Sequence, residues 1–186
     1  IIEALGIAMG IALDKAILYG LGTKMPLGIV TRLAQESAPS DYPATARTWQ
    51  DLHTSNMITI QSTSTGIEFF KEIVQAGGKA SNKYARGTKF WAMNEVTYTK
   101  IKVEAMNFNA AGAIVSVQDG TMPVAGGDIV VLSDDIIPDN NIVAGYGELY
   151  LLAERAGSEF ARSDEYRFAE DQVALKGTAR YDGEPV

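Results

Sequence analysis

LDKAILYGLGTKMPLGIV, residues 13–30, sets an apolar run against two closely spaced glycines, a proline and a third glycine. Its reading decides whether the chain opens on a nucleotide-binding loop or on a helix and its stop. Ile1, Leu5, Met9, Leu13 and Ile17 recur every fourth residue, Ala4, Ala8, Ala12 and Ala16 form the neighbouring row, and Ile7, Ile11 and Leu18 cover a third side. Apolar residues so spaced describe a helix over residues 1–19 that is buried on most of its circumference. Gly20 then stands where a helix commonly takes a left-handed residue, Pro26 biases Met25 away from helix, and Gly28 allows a second turn. A phosphate-binding loop needs GxxxxGK[ST] after a strand, and a dinucleotide fingerprint needs GxGxxG before a helix. Here Met25 occupies the third glycine position and the glycines follow a helix. The stretch is a helix stop built on Gly20, Gly22, Pro26 and Gly28.

With 186 residues the chain can form one domain or two small ones and bury a core without staples. It is 46% hydrophobic and 21% charged, the balance of a folded globular protein. Having no cysteine, it excludes disulfides, thiolate metal sites and cysteine nucleophiles. A formal charge of −7 argues against nucleic-acid binding by counterion displacement, which needs a basic face. Ten uncharged residues separate Glu3 from Asp14, against the roughly 20 that span a bilayer, so no membrane segment is expected. The chain opens on Ile1 and what reads as the middle of a helix, so an upstream piece is expected to be missing.

Further along, residues 37–64 are rich in Ser, Thr, Pro and Asp and carry Trp49, Leu52, Met57, Ile58 and Ile60 as scattered apolar anchors. Thr65-Gly66-Ile67-Glu68 fits a capping box, followed by Ile67, Phe70, Ile73 and Val74 on one face and a stop at Gly77-Gly78. Residues 87–93 read as a strand, after which Asn94 can cap a helix carrying Tyr98, Ile101 and Ala105; its β-branched residues leave a strand as the alternative. The last third holds short β-rich runs at 113–117, 128–132, 149–153 and 160–162, separated by turn residues, which suggests antiparallel sheet. Val173, Leu175, Ala179 and Tyr181 alternate with polar neighbours in a final strand. The chain reads as α+β, helices early and strands late.

Little in it points to catalysis. His53 is the single histidine and lies in a Thr/Ser-rich loop with no GxSxG elbow anywhere, so it reads as a solvated loop residue. Asp134, Asp135 and Asp139 form the densest acidic cluster, but the segment lacks the ligand pattern of a calcium loop and reads as a hydrated turn. Lys79, Lys83, Arg86 and Lys89 gather four cations in an otherwise acidic chain. They read as a solvated loop or, more specifically, as a patch that meets the Asp134–Asp139 turn of a neighbouring copy. No catalytic residue, cofactor or metal is assigned.

Two stretches together carry a resemblance. Asp14-Lys15-Ala16-Ile17-Leu18-Tyr19-Gly20-Leu21-Gly22 with Pro26-Leu27-Gly28-Ile29 is similar to the helix-and-turn signature of tailed-phage major capsid proteins. Met122-Pro123-Val124, Tyr150 to Arg155, Ser163, Phe168 and Arg180-Tyr181-Asp182-Gly183 resemble the closing pattern of the same family, and Trp91-Ala92-Met93-Asn94 its strand-to-helix junction. The resemblance implies the Hong Kong 97-type fold: a peripheral domain with a spine helix and an antiparallel strand ribbon, and an axial domain with a mixed sheet and flanking helices. Residues 1–33 would be the end of the spine helix and its turn, 34–148 the axial domain, 149–178 the ribbon, and 179–186 a return to the axial domain. Nothing corresponds to the family's N-terminal arm and extended loop.

It further implies a structural protein and not an enzyme, whose copies form pentamers and hexamers of an icosahedral shell around DNA, in a virion assembled in the host bacterial cytoplasm. Arg155 joins the two charged clusters as a candidate subunit contact. Scaffold or protease are partners the family allows; sequence-specific nucleic acid and membrane are not expected. Asp171 stands where crosslinking members carry asparagine, so autocatalytic crosslinking is not implied. Negative charge suits a container along which packed DNA slides. The alternatives are an encapsulin-type nanocompartment shell and, from another class, a small-molecule enzyme using the His53 loop or the Asp134 turn.

Overall fold

The computed structural model describes residues 2–38, 40, 42–45, 48–61, 63–80, 82–110 and 120–185; the strand expected at 113–117 lies outside them. The element order is α1 (Ile2–Tyr19), α2 (Ile29–Ala34), α3 (His53–Asn56), α4 (Gly66–Gly77), β1 (Lys89–Asn94), α5 (Glu95–Ala110), β2 (Asp128–Leu132), β3 (Val143–Tyr146), β4 (Tyr150–Arg167) and β5 (Gln172–Pro185). Helices predominate early and strands late in an α+β arrangement, as the sequence implied, with β1 set between α4 and α5.

A three-stranded sheet in the order β2-β1-β3 organises most of the chain. Its central strand is buried on both faces, and its alternation divides the interior. Trp91 and Met93 point into one core with Phe70 and Ile73 of α4 and Tyr98, Ile101 and Ala105 of α5. Ala92 points into the other, with Leu18 of α1, Ile136, Ile137 and Val143, while Phe90 packs at its edge. Successive side chains of a strand face opposite ways, so six residues serve two cores at once.

The sheet is mixed rather than wholly antiparallel: β2 runs parallel to β1, and β3 antiparallel. A parallel partner needs a crossover, which α5 begins. Asn94 caps α5 as expected, its Oδ1 accepting the Thr97 N–H at 2.9 Å, while its Nδ2 donates to Asp139 Oδ1 at 2.6 Å. The strand alternative for residues 95–110 is thereby set aside.

Other expectations are corrected. The capping box at Thr65 does not form: the threonine side chain makes no cap bond, the Gly66 N–H donates to Glu104 Oε2 at 2.7 Å, and Glu68 pairs with Lys71 at 2.6 Å. The buried face of α4 is Phe70, Ile73 and Gly77, because the helix rests on Trp91, whose ring fills the place a Cβ at Gly77 would need; Ile67 and Val74 are exposed. In the Ser/Thr-rich stretch, α3 is a single turn, and Trp49 is held edge-on by Tyr42 and face-on by the Arg32 guanidinium, 3.9 Å from its ring centre. All but Leu149 of the runs at 149–153 and 160–162 belongs to one 18-residue strand, β4, whose small and charged residues hide its continuity. β3 and the six-residue α2 are elements too short for a periodicity to declare them.

β4 and β5 form a separate two-stranded antiparallel ribbon, paired from Tyr150↔Pro185 to Arg167↔Gln172 with three register shifts. Residues 180–185 stay paired to β4, and one of the register shifts falls between the Thr178 and Arg180 rungs. Of the expected apolar row on β5, Ala179 and Tyr181 are half-buried, whereas Val173 and Leu175 are exposed. Across the ribbon lies α1, with Leu5 and Met9 packed where a Cβ on Gly177 would collide. The helix is not buried on most of its circumference. Leu5, Met9, Leu13 and Ile17 are half-covered and Leu18 is buried, while Ile2 and Ile7 are 61% and 60% exposed. No helix among the described residues is long and apolar enough to cross a membrane.

The face of α4 can be checked in urea. Ile73, 1% exposed, should cost about 2–5 kcal/mol when changed to Ala. Val74→Ala, at a neighbouring position 43% exposed, should stay within roughly 0.5–1 kcal/mol.

Candidate functional site

Three of the stretches that carried the sequence resemblance, around Gly20–Gly28, Tyr150 and Gly183, lie far apart in the chain and meet at one place, while Trp91, Met93 and Met122 belong to the core beside α4 and α5. α1 closes with the Gly20 N–H donating to Ala16 O at 2.8 Å, and the chain loops through Gly22 (φ 76°) and Lys24 (φ 59°) before Leu21 and Leu27 pair as an isolated antiparallel bridge. Gly20 itself is not left-handed; the positive angles fall on Gly22 and Lys24 instead. Gly20 is required for a different reason. A Cβ there would collide with the Pro26 and Ala16 carbonyl oxygens, and one on Gly28 would lie 2.5 Å from Gly20 N and 2.6 Å from the Leu18 carbonyl. The two glycines cross backbone against backbone, joined by the Gly28 N–H to Gly20 O bond of 2.8 Å.

The ribbon fastens onto this crossing. The Leu27 N–H donates to Gly183 O at 2.7 Å, and the Tyr150 hydroxyl donates to Leu27 O at 3.0 Å. Gly183 is close-packed in turn, since a Cβ would sit 2.7 Å from Leu151 O and 3.0 Å from the Tyr150 ring. Helix end, turn and both ribbon strands are thus locked by backbone bonds and the Tyr150 hydroxyl. Burial, and after it the nearby Asp182 carboxylate, pushes the Tyr150 phenol above its ordinary value of 10.0, and burial raises Tyr19 likewise. Beside the crossing opens a cleft of about 490 Å³ lined by Gly22, Lys24, Arg155, Arg180, Tyr181 and Asp182.

The structure separates the charged residues singled out in the sequence. Lys89 is engaged within the chain: its ammonium donates to Gly77 O at 2.5 Å and faces the Trp91 and Tyr146 rings. Asp139 is held by Asn94. Lys79, Lys83 and Arg86 are exposed on the loop after α4, where the Arg86 N–H donates to Glu148 Oε2 at 2.7 Å. Asp134 and Asp135 are exposed at the turn after β2, and Arg155 faces the cleft at the foot of the ribbon. His53 opens α3, its N–H bonded to Asp51 Oδ1 at 2.9 Å. Among the described residues no group of three His, Cys, Asp or Glu side chains could hold a metal ion.

Sequence reasoning missed the bond from Leu27 to Gly183, because nothing local encodes a partner so distant. It also missed the lattice that fixes the acidic turn, in which Asn140 N–H donates to Thr97 Oγ1 at 2.9 Å and Lys100 Nζ to Asn140 Oδ1 at 2.6 Å. The run Pro138-Asp139-Asn140-Asn141 is its one local signal.

The sequence profile of the Phage capsid family matches residues 1–186, the whole chain. The chain belongs to that family. No curated protein matches it. Among solved structures it is similar to the capsid of an empty GTA particle computed with C5 symmetry, with a TM-score of 0.59 and 17% identity, over 98% of this chain and 60% of that one. At that identity the likeness shows the fold, which is the Hong Kong 97 type that the resemblance implied. The phage capsid family chain described here spans 60% of the length of that capsid chain.

Two outcomes test the crossing. Gly28→Ala should unfold or severely weaken the junction, since the methyl meets backbone that cannot step aside, whereas Gly6→Ala, with nothing within 4 Å of the added carbon, should be neutral or slightly stabilising in thermal melts. Because the fold holds the Tyr150 phenol neutral above its ordinary pKa, its contribution is complete below pH 10.0 and is lost as pH rises through the raised value. Tyr150→Phe should therefore lower stability at neutral pH by about 0.5–1.5 kcal/mol and flatten the alkaline decline measured by urea melts, with Tyr19 supplying what remains.

Proposed function

We propose that this chain is part of a major capsid (head) protein of a tailed phage or prophage. Its work is to touch copies of itself through heterologous contacts, which close into pentamers and hexamers and tile an icosahedral shell around DNA. Shape rather than reactive groups does this work, so the protein is not an enzyme, and its place is the virion, assembled in the host bacterial cytoplasm. What carries the reading is the crossing itself. In a chain of the phage capsid family, the two ends of the family signature are joined by the Leu27–Gly183 and Tyr150–Leu27 bonds.

On this reading residues 1–33 and the ribbon from residue 149 form the peripheral domain, and residues 34–148, with the three-stranded sheet, form the axial domain. Exposed Ile2 and Ile7 on α1, together with Leu151 and Phe160 on the ribbon, are consistent with surfaces that other copies cover. Neither the encapsulin reading nor the small-molecule enzyme is favoured by an observation on this chain.

Electron microscopy of the full-length gene product, expressed in bacteria, tests the proposal. Icosahedral particles are expected, and a product that stays monomeric at high concentration overturns it.

A further inference from the structure

The cations of the loop before β1 and the acids of the turn after β2 lie at two opposite ends of the three-stranded sheet. Lys79 and Arg86 bracket the loop that leads into β1 at Lys89, so this loop sits at the end where β1 begins. β2 runs parallel to β1, with Phe90 opposite Asp128 and Asn94 opposite Leu132. The turn after β2 therefore sits at the end where β1 finishes, and the Asn94–Asp139 bond fixes it there. Ile136 and Ile137, both buried, anchor this turn from below and leave Asp134 and Asp135 on the outside.

Among the described residues, counting the charges of both signs around each end keeps the contrast. At the first end Lys79, Lys83, Arg86 and Lys89 face the carboxylates Glu148 and Asp128. At the second, Asp134, Asp135, Asp139 and Glu95 face Lys100. Six residues of strand hold the ends roughly 17 Å apart, about twice the ~8 Å screening length of physiological salt. Within one molecule the two poles cannot neutralise each other.

We propose that these poles register a second copy of this chain head to tail: the Lys79–Lys83–Arg86 loop of one copy docks on the Asp134–Asp135 turn of the next. Such a contact is heterologous, so it propagates instead of stopping at a pair, and gives a ring when the rotation between copies closes. Complementary charge of this kind sets partner orientation and association rate more than final strength. The inference rests on the capsid reading, and narrows the candidate contacts to the exposed residues Lys79, Lys83, Arg86, Asp134 and Asp135.

Charge reversal in the full-length protein tests it. Lys83→Glu with Arg86→Glu, and separately Asp134→Lys with Asp135→Lys, should each abolish ring formation at low salt or require at least roughly tenfold more protein, because like charges then meet. All four changes in one chain should restore assembly. Mixing the two reversed proteins should restore it too, but only in rings with alternating copies, so native mass spectrometry should find even-numbered rings and no pentamers. Circular dichroism and melting of each variant separate misfolding from lost contact. Wild-type rings with unaffected reversed variants overturn the pole-to-pole contact and leave the capsid reading standing. Mixtures that stop at a dimer overturn the head-to-tail geometry. Wild-type protein that forms no assembly overturns the capsid reading itself.

Discussion

Two backbones pass at Gly20 and Gly28 at a separation that only glycine allows, and the remainder of the structure is arranged around that passage. Were a methyl group present on either residue, the loop after α1 could not fold back, Leu27 could not reach Gly183, and the ribbon would lose its foothold beneath the helix. A steric constraint thereby decides a long-range connection. The hydrogen bonds that follow are ordinary in strength, each worth about 0.5–1.5 kcal/mol net. Their value lies in being possible at all.

The helix and its stop were legible because they depend on local rules: the four-residue rows of α1, the proline at 26 and the glycine pair. The same rules misjudged why Gly20 is glycine, since left-handed geometry can be suspected from sequence while proximity to Pro26 cannot. α5 was legible through Asn94 and the Tyr98–Ile101–Ala105 row. By contrast, the face of α4 was read only in part: Phe70 and Ile73 are buried as expected but Ile67 and Val74 are not, because Trp91 decides which side is buried and it comes from another element. The ribbon was seen only in fragments, as its strands are covered on one side over part of their length and carry no sustained alternation. Of the candidate contacts, the sequence revealed the charges, and only the strand directions reveal that they occupy opposite ends.

β1 shows how a small protein shares structure between tasks. By pointing Trp91 and Met93 one way and Phe90 and Ala92 the other, it binds the helices α4 and α5 to the end of α1 through a single extended segment. A change on either side of this strand is transmitted to the other core with no loop between to absorb it. Stability and the relative placement of the charged ends therefore rest on the same six residues.

The ribbon is unevenly built along its length. From Tyr150–Pro185 to Glu154–Tyr181 its rungs run unbroken, and that portion is the part bolted to Leu27; the three slips in pairing all lie farther out. Each slip leaves backbone groups without a rung and adds local twist. Mechanically this is a stiff foot carrying a compliant shaft. A sideways load on the distal hairpin is taken up as bending at the slips, and little of it reaches the glycine passage below.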